Sequence, residues 1–419
     1  MPRKLMVPAV LALVSAFIIG CGVMKGAMFQ NAERAFERGD YEEAKRLYLQ
    51  IIEKYPGSEF ATKAKFRLGQ IYEREFEWDK AIKYFDEVTK EVKGGYLDMM
   101  ARSERARIQR ERQVITRAQY IYDNNPGTEK GNKAAAQALH DMAQAYERLG
   151  QYEKAIETYR KLIKEFPQYT NVPQILYQIG NIYFYKLYDY EKGWQAYMEV
   201  IKKYPDSEFA RYAERTLKDT DRILKEIAAQ IETIKKFRKE VAMKFEKAGR
   251  HVTQADKYGI YTDQIAQSYI AIAEGWRKLK NYPNAIKAYK ELADELPFEQ
   301  AAQIGLFRAA ELYQEMGDYE MAIKTYNELL RRYPHTFRRA DATYNKAICY
   351  EAMREFEKAY ELYKAYLSLP EEEQDDTKVR RAEEKVRQWS VDGDGDGYPF
   401  YIEAQYGTSD SDPTSYPEK

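Results

Sequence analysis

The chain has 419 residues, 32% charged and 44% hydrophobic, which excludes both a disordered and a membrane-spanning composition. Lys+Arg and Asp+Glu are both 67, so no global charge points to nucleic acid. Three histidines and two cysteines leave little material for a histidine-based catalytic site, a zinc cluster or a disulfide framework, while 38 tyrosines demand a structural explanation.

Residues 1–22 read MPRKLMVPAVLALVSAFIIGCG. Arg3 and Lys4 form a positive start, and Leu5 to Ile19 is apolar except for Pro8 and Ser15. That run is short for a bilayer span of ~20 residues and suits the apolar core of an export signal. The closing Ile18-Ile19-Gly20-Cys21 resembles the lipobox of bacterial lipoproteins. The resemblance implies a signal peptide over 1–20, acylation of Cys21 and a short tether over 21–30. It also implies a cell-envelope protein held to the membrane through its lipid. Gly22, rather than Asp, implies the outer membrane, with the periplasmic face favoured over the cell surface. One acyl chain binds a membrane only marginally, and several give a stable anchor.

From residue 31 onward one unit is written many times. GDYEEAKRLYLQIIEKYP (39–56), GQYEKAIETYRKLIKEFP (150–167) and GDYEMAIKTYNELLRRYP (317–334) share an aromatic, an alanine three later, an aromatic four further on and a closing proline. The opening aromatic falls at Tyr41, Trp78, Tyr152, Tyr190, Tyr282, Tyr319 and Phe356, mostly about 37 residues apart. A degenerate unit is expected at about 95–130, with Ala118 and Tyr122 in its small and aromatic columns. A preceding helix repeats too, as Gly69 with Tyr72, Gly180 with Tyr183 and Ala347 with Tyr350. Small residues let antiparallel helices approach closely, and aromatics on the same face fill the space beside them. The prolines stop the second helix.

This pattern resembles the tetratricopeptide repeat over 31–206 and 262–370. The resemblance implies an all-α superhelical solenoid that binds proteins or peptides. It also implies that the first helix of each unit lines a concave groove. There Gln174, Tyr177, Asn181, Phe184 and Tyr185 are candidate partner-binding residues, with amides for a peptide backbone and rings for its apolar side chains.

Residues 207–261 interrupt the period. Leu217, Leu224, Ile231 and Phe245 share one heptad column, broken by Arg238, and Ile227, Ile234 and Val241 share another. This predicts one long helical insertion. It either seeks a coiled-coil partner, giving self-association through 217–245, or packs back on its own chain. The stretch ARSERARIQRERQVITR (101–117) carries six arginines against two glutamates. It reads as a solvated helix face or as a basic docking face.

A capping helix is expected over 371–390, followed by VDGDGDGYPFYIE (391–403). Carboxylates about 4 Å apart repel by ~1 kcal/mol in water and ~4 kcal/mol at an effective dielectric near 20, so a folded loop of this kind calls for a cation. Asp392, Asp394, Asp396, Gly397 and Glu403 fit D-x-[DN]-x-[DN]-G-x5-E. Three carboxylates, the Tyr398 carbonyl and a chelating Glu403 suit Ca2+, which takes six to eight oxygens. The segment 391–419 is expected to be a small calcium-binding, EF-hand-like loop with its tail. The single loop, with Pro399 at its eighth position, resembles the calcium repeats of thrombospondin-type-3 and dockerin-like modules.

No G-x-S-x-G, P-loop or H-E-x-x-H motif appears, and His140, His251 and His335 lie far apart in sequence, so no enzyme is expected. The segment 53–88 resembles repeats of outer-membrane assembly lipoproteins of the BamD type and of the Tol-Pal-associated coordinator family. This chain is longer than either, and neither pattern includes the long insertion or the acidic tail. The expected function is a lipid-anchored envelope scaffold for protein–protein interaction. The alternative is a surface-exposed component of a calcium-dependent multimer.

Overall fold

The computed structural model describes residues 26–36, 39–247, 261–297, 300–393, 395 and 397–406. Every regular element among them is helical. The chain divides into two compact units: Met1–Arg117 with Ala145–Gln151, and Ala118–Gln144 with Tyr152–Lys419.

The first unit holds α1 (26–36), α2 (Tyr41–Lys54), α3 (Glu59–Arg74) and α4 (Trp78–Glu91). Phe29, Ala32 and Ala35 of α1 pack on Ala44, Tyr48 and Ile51 of α2 and on Ala64, Leu68 and Ile71 of α3. A second cluster joins Phe66, Ala81, Phe85 and Val88 to Ala101 and Ile108.

The expected hairpin at 95–130 is absent. One helix, α5 (Tyr96–Asp123), runs through it. Where the other units place a turn, this one has Gln113 and Val114, which continue the helix. Ala118 is buried as its column predicts.

After α6 (Glu129–Arg148), the second unit stacks α7 (Tyr152–Glu165), α8 (Val172–Tyr185) and α9 (Tyr190–Lys203). Next comes α10 (Glu208–Lys247), a single helix of 40 residues and about 60 Å. Regular hairpins resume with α11 (Thr262–Lys278), α12 (Tyr282–Glu295), α13 (Gln300–Glu315), α14 (Tyr319–Arg332), α15 (Arg339–Ala352) and α16 (Phe356–Leu367). The chain closes with α17 (Asp376–Trp389) and the seven-residue α18 (Phe400–Tyr406).

Six tyrosines of the aromatic column are core residues, as the repeat predicts, whereas Tyr122 on α5 is only half-buried. Tyr48, Tyr159, Tyr197, Tyr289, Tyr326 and Tyr363 are almost fully buried. Each hydroxyl needs a partner there. Tyr197 donates to Asn181 Oδ1 at 2.7 Å, Tyr289 to Glu274 Oε1 at 2.6 Å and Tyr363 to Glu351 Oε2 at 2.7 Å. Burial pushes the pKa of all three hydroxyls well up, so they remain donors at neutral pH. Small residues make room for the rings. A Cβ on Gly180 would lie 2.3 Å from the Tyr197 ring, and one on Gly193 2.1 Å from that of Phe184.

One turn geometry recurs between the two helices of a unit. The residue two before each opening aromatic has positive φ: Gly39, Phe76, Gly150, Tyr188, Lys280, Gly317 and Arg354. The residue after it folds its N–H back to the first helix, as in Asn281 to Trp276 O (2.9 Å) and Asp318 to Tyr313 O (2.9 Å). This satisfies carbonyls that the helix end leaves open. Asp40, Asp189, Asn281 and Asp318 then cap the second helix through their side chains. Gln151 holds the same place without capping. It is buried, and neither side-chain polar atom has a hydrogen-bond partner among the described residues.

Candidate functional site

The acidic loop hangs between α17 and α18. Asp392 accepts the Gly395 N–H at Oδ1 (2.7 Å) and the Gly397 N–H at Oδ2 (2.9 Å). Gly395 and Gly397 have positive φ, which lets the chain fold back on that carboxylate. Phe400 N–H closes the loop on Val391 O at 2.9 Å. Tyr398 is half-buried, and Glu403 is only 1% exposed. The donor chemistry suits Ca2+, with hard oxygens and a carboxylate carried inward at the closing position. Asp394 and Asp396 lie outside the described residues. Among the described residues no group of three His, Cys, Asp or Glu is gathered to hold a metal.

The loop is not a pendant module. Its helix α18 sits on the last hairpin, with Tyr401 stacked on Tyr360 at 4.3 Å and 5° between ring planes. Phe356 packs on Trp389 at 5.4 Å and on Phe400 at 6.5 Å. Moreover, α17 begins and ends 37 residues after α15. It holds the place of one more first helix, with the acidic loop where the turn would be and α18 as a short second helix.

The groove candidates separate. Gln174 is exposed, and Tyr177 and Tyr185 are half-buried. Asn181 is engaged by the Tyr197 hydroxyl. Phe184 is fully buried against Tyr197 (5.0 Å) and Tyr190 (5.4 Å), so it is a core ring and not a groove residue. Of the remaining candidate rings, Tyr177 sits 5.9 Å from Phe209 and 6.1 Å from Tyr212. Neither of those two rings was flagged by the repeat, because they lie on α10 where the period breaks.

The basic stretch is largely tied down. Arg102 pairs with Asp98 (2.6 Å), Arg105 with Asp86 (2.5 Å), Arg107 with Glu73 (2.6 Å) and Arg112 with Asp79 (2.7 Å). Three of its six arginines thus bridge to α3 or α4, and Arg102 pairs within α5. The heptad columns of α10 also turn inward. Ile227, Ile234 and Val241 are buried, Leu217 packs beside Phe184 and Tyr197, and Arg238 binds Glu295 and the Tyr269 hydroxyl. Leu224 is half-buried, and Ile231 stays partly open at 38%. The side chain of Phe245 lies outside the described residues, as do Cys21 and the whole signal segment. No described helix is long and apolar enough to cross a membrane.

Two reactive groups sit in the core, and a half-buried lysine lies at its edge. Cys349 is buried, and burial raises its thiol to about 12. His140 is buried too, with Nδ1 3.1 Å from the Tyr169 hydroxyl and Nε2 3.2 Å from Gln144 Nε2. Desolvation lowers its pKa, against a smaller opposite pull from Asp141. Lys346 was not singled out by the sequence pattern. It occupies the column held by buried Leu68, Met142, Ile179, Ile272 and Ala309 in other units, and burial lowers its pKa. Aligning the columns would have exposed it.

Family models for the tetratricopeptide repeat match residues 29–96, 137–169, 174–207 and 305–336. Those segments are tetratricopeptide repeats. No curated protein matches the chain. Among solved structures, a TPR2AB-domain:pHSP90 complex of yeast Sti1 is 17% identical, covers 78% of this chain and 97% of its own, and has a TM-score of 0.25. A tetratricopeptide repeat protein from Parabacteroides merdae is 15% identical over 87% of this chain and 97% of its own, with a TM-score of 0.23. The C-terminal part of a TPR repeat-containing protein from Cytophaga hutchinsonii is 14% identical over 85% and 99%, with a TM-score of 0.24. The assignment of the repeats rests on the family models.

Proposed function

We propose that this chain is a lipid-anchored scaffold of the bacterial cell envelope, which gathers other proteins or peptides through its repeats and binds Ca2+ structurally at its C-terminus. The observation that carries the reading is the run of tetratricopeptide repeats, a scaffold that mediates protein–protein interaction. The envelope location rests on the lipobox-like Ile18-Ile19-Gly20-Cys21, with Cys21 as the acylated residue and the outer membrane, on its periplasmic face, as its destination. Calcium would be held by Asp392, Asp394, Asp396 and Glu403, with the Tyr398 carbonyl as a further donor, and would neutralise charges that otherwise repel. Its role there is structural, and the reading assigns no catalysis. Partner contact at Gln174, Tyr177 and Tyr185, half-open beside Phe209 and Tyr212, belongs to the same proposal.

The test is co-purification of the native protein from its own membranes in detergent, with and without a calcium chelator. A stable set of other envelope proteins that resists chelation is expected. A homomeric assembly that falls apart on chelation would replace the scaffold with a calcium-dependent structural component. The inward packing of the α10 columns argues against that assembly being a coiled coil through 217–245.

A further inference from the structure

The break in the period leaves an opening of its own. α10, α11 and α12 enclose a groove of about 330 Å³. Its floor is apolar: Ile231 and Ile234 from α10, Ile272 and Trp276 from α11, Ala288 from α12. Its α12 wall carries Asn284, Lys287 and Glu291 at helical spacing beside Ala288.

Elsewhere the corresponding faces meet the second helix of the preceding unit. Glu199 of α9, in the same column as Glu291, binds Arg160 of α7. Arg332 of α14 reaches back to Asp294 (3.0 Å) and to the Ala293 carbonyl (2.8 Å) of α12. Ahead of α12, however, stands the long α10. It takes the neighbour's place at one end, where Arg238 binds Glu295 at 3.0 Å and the Tyr269 hydroxyl at 2.7 Å. Along Asn284 to Glu291 the groove lies between the two helices, and Asn284, Lys287 and Glu291 stay exposed on either side of buried Ala288. The groove therefore continues an interface that the other repeats fill with their own chain.

Charge selects the occupant. From 232 to 247, α10 carries Lys235, Lys236, Arg238, Lys239, Lys244 and Lys247 against three glutamates, in a chain with no net charge. Lys235, which pairs with the exposed Glu232 at 2.6 Å, and Lys287 flank the opening with side chains 62% and 72% exposed. The single acidic residue in the lining, Glu291, is 3.9 Å from Lys287. A volume of this size lies at the low end for binding pockets, about 300–1,000 Å³. It takes one or two large side chains and not a whole helix.

We propose that this groove is a docking site for an acidic segment of a partner protein, which inserts an apolar side chain over Ile231, Ile272 and Trp276 and sets carboxylates against Lys235 and Lys287. The proposal rests on the scaffold reading in that its occupant is a protein. The apolar floor gives affinity and the flanking lysines give sign and orientation.

The probe is a labelled eight-residue peptide with Leu and Phe at its centre and Asp or Glu elsewhere, titrated into the full chain by anisotropy and by tryptophan fluorescence. Saturable binding is expected, weakened at least tenfold in Ile231→Asp and in Lys235→Glu/Lys287→Glu. All three positions are exposed enough for the fold to survive, which circular dichroism checks. A peptide with Lys in place of the acids should bind at least tenfold more weakly. The proposal is overturned by the absence of saturable binding, by equal binding of the Lys peptide, or by unaffected variants. Lysine-dependent adsorption to phosphatidylglycerol vesicles without peptide binding would also overturn it, in favour of a lipid surface. If Lys235→Glu/Lys287→Glu keeps every co-purifying partner, the groove is discarded while the scaffold stands.

Discussion

The hairpin α13–α14 and the C-terminal pair α17–α18 are built on the same spacing and end differently. In the first, Gly317 turns the chain, Asp318 caps the next helix and Tyr326 fills the space between helices. In the second, the first helix keeps its place to the residue, but the turn has become an acidic loop and the second helix is two turns long. The difference teaches that stacking fixes the helices and leaves the turn free. A first helix is held by neighbours on both sides, whereas the turn touches solvent and can take on other chemistry.

The comparison can be broken most forcefully at the aromatic anchors. Tyr326→Ala should cost about 3–5 kcal/mol, because a fully buried ring and its hydrogen bonds are lost. Tyr401→Ala should cost only ~1 kcal/mol, the scale of a half-buried stacked pair. Urea unfolding of both variants measures the gap, and equal losses would make α18 as integral as any regular helix. Gly180→Ala comes next, with a cost of about 1–3 kcal/mol from a methyl forced into the Tyr197 ring. If it proves neutral, helix approach does not depend on the small column.

The pH dependence probes the regular core. Burial lowers the His140 pKa below its unfolded value, so the unfolded chain binds the extra proton. Its contribution is complete above about pH 6.5 and is lost as pH falls below that, with a slope of up to about 1.4 kcal/mol per pH unit. Thermal melts from pH 7.5 to 5 should lose stability in wild type and less steeply in His140→Gln. The smallest effect sharpens the turn itself. Gln151→Asp should gain roughly 1 kcal/mol by supplying the cap present at Asp40 and Asp318 and by removing an unsatisfied buried amide.

Much of the repeat was legible in the sequence, because packing writes itself into columns. A small residue and a ring at fixed offsets are what close helix contact requires, and Ala44 with Tyr48 or Ala322 with Tyr326 sit where those offsets place them. The long insertion was legible for the same reason, since its heptads are its packing face. Arg238, which interrupts those heptads, makes sense only through Glu295 and Tyr269, contacts set by tertiary structure. Phe184 was misplaced because it follows a residue pattern shared by exposed and buried faces, and only the absence of a side chain at Gly193 draws it inside. The fusion of 96–123 into one helix was missed because the columns persist when the turn does not. Positive φ at Phe76, Tyr188, Lys280 and Arg354 was invisible as well, since none is a glycine and the stacked helices impose the conformation.

Cys349 turns the last regular hairpin into its own clock. Its thiol is inaccessible and held protonated, so a maleimide or disulfide reagent meets it only when α15 and α16 part. The rate of labelling then reports how often that hairpin opens. It does so at one defined place, without an added probe, and in a chain that can still carry its full C-terminal unit. Comparing that rate before and after a loop or groove is occupied reads out how far along the stack a binding event is felt.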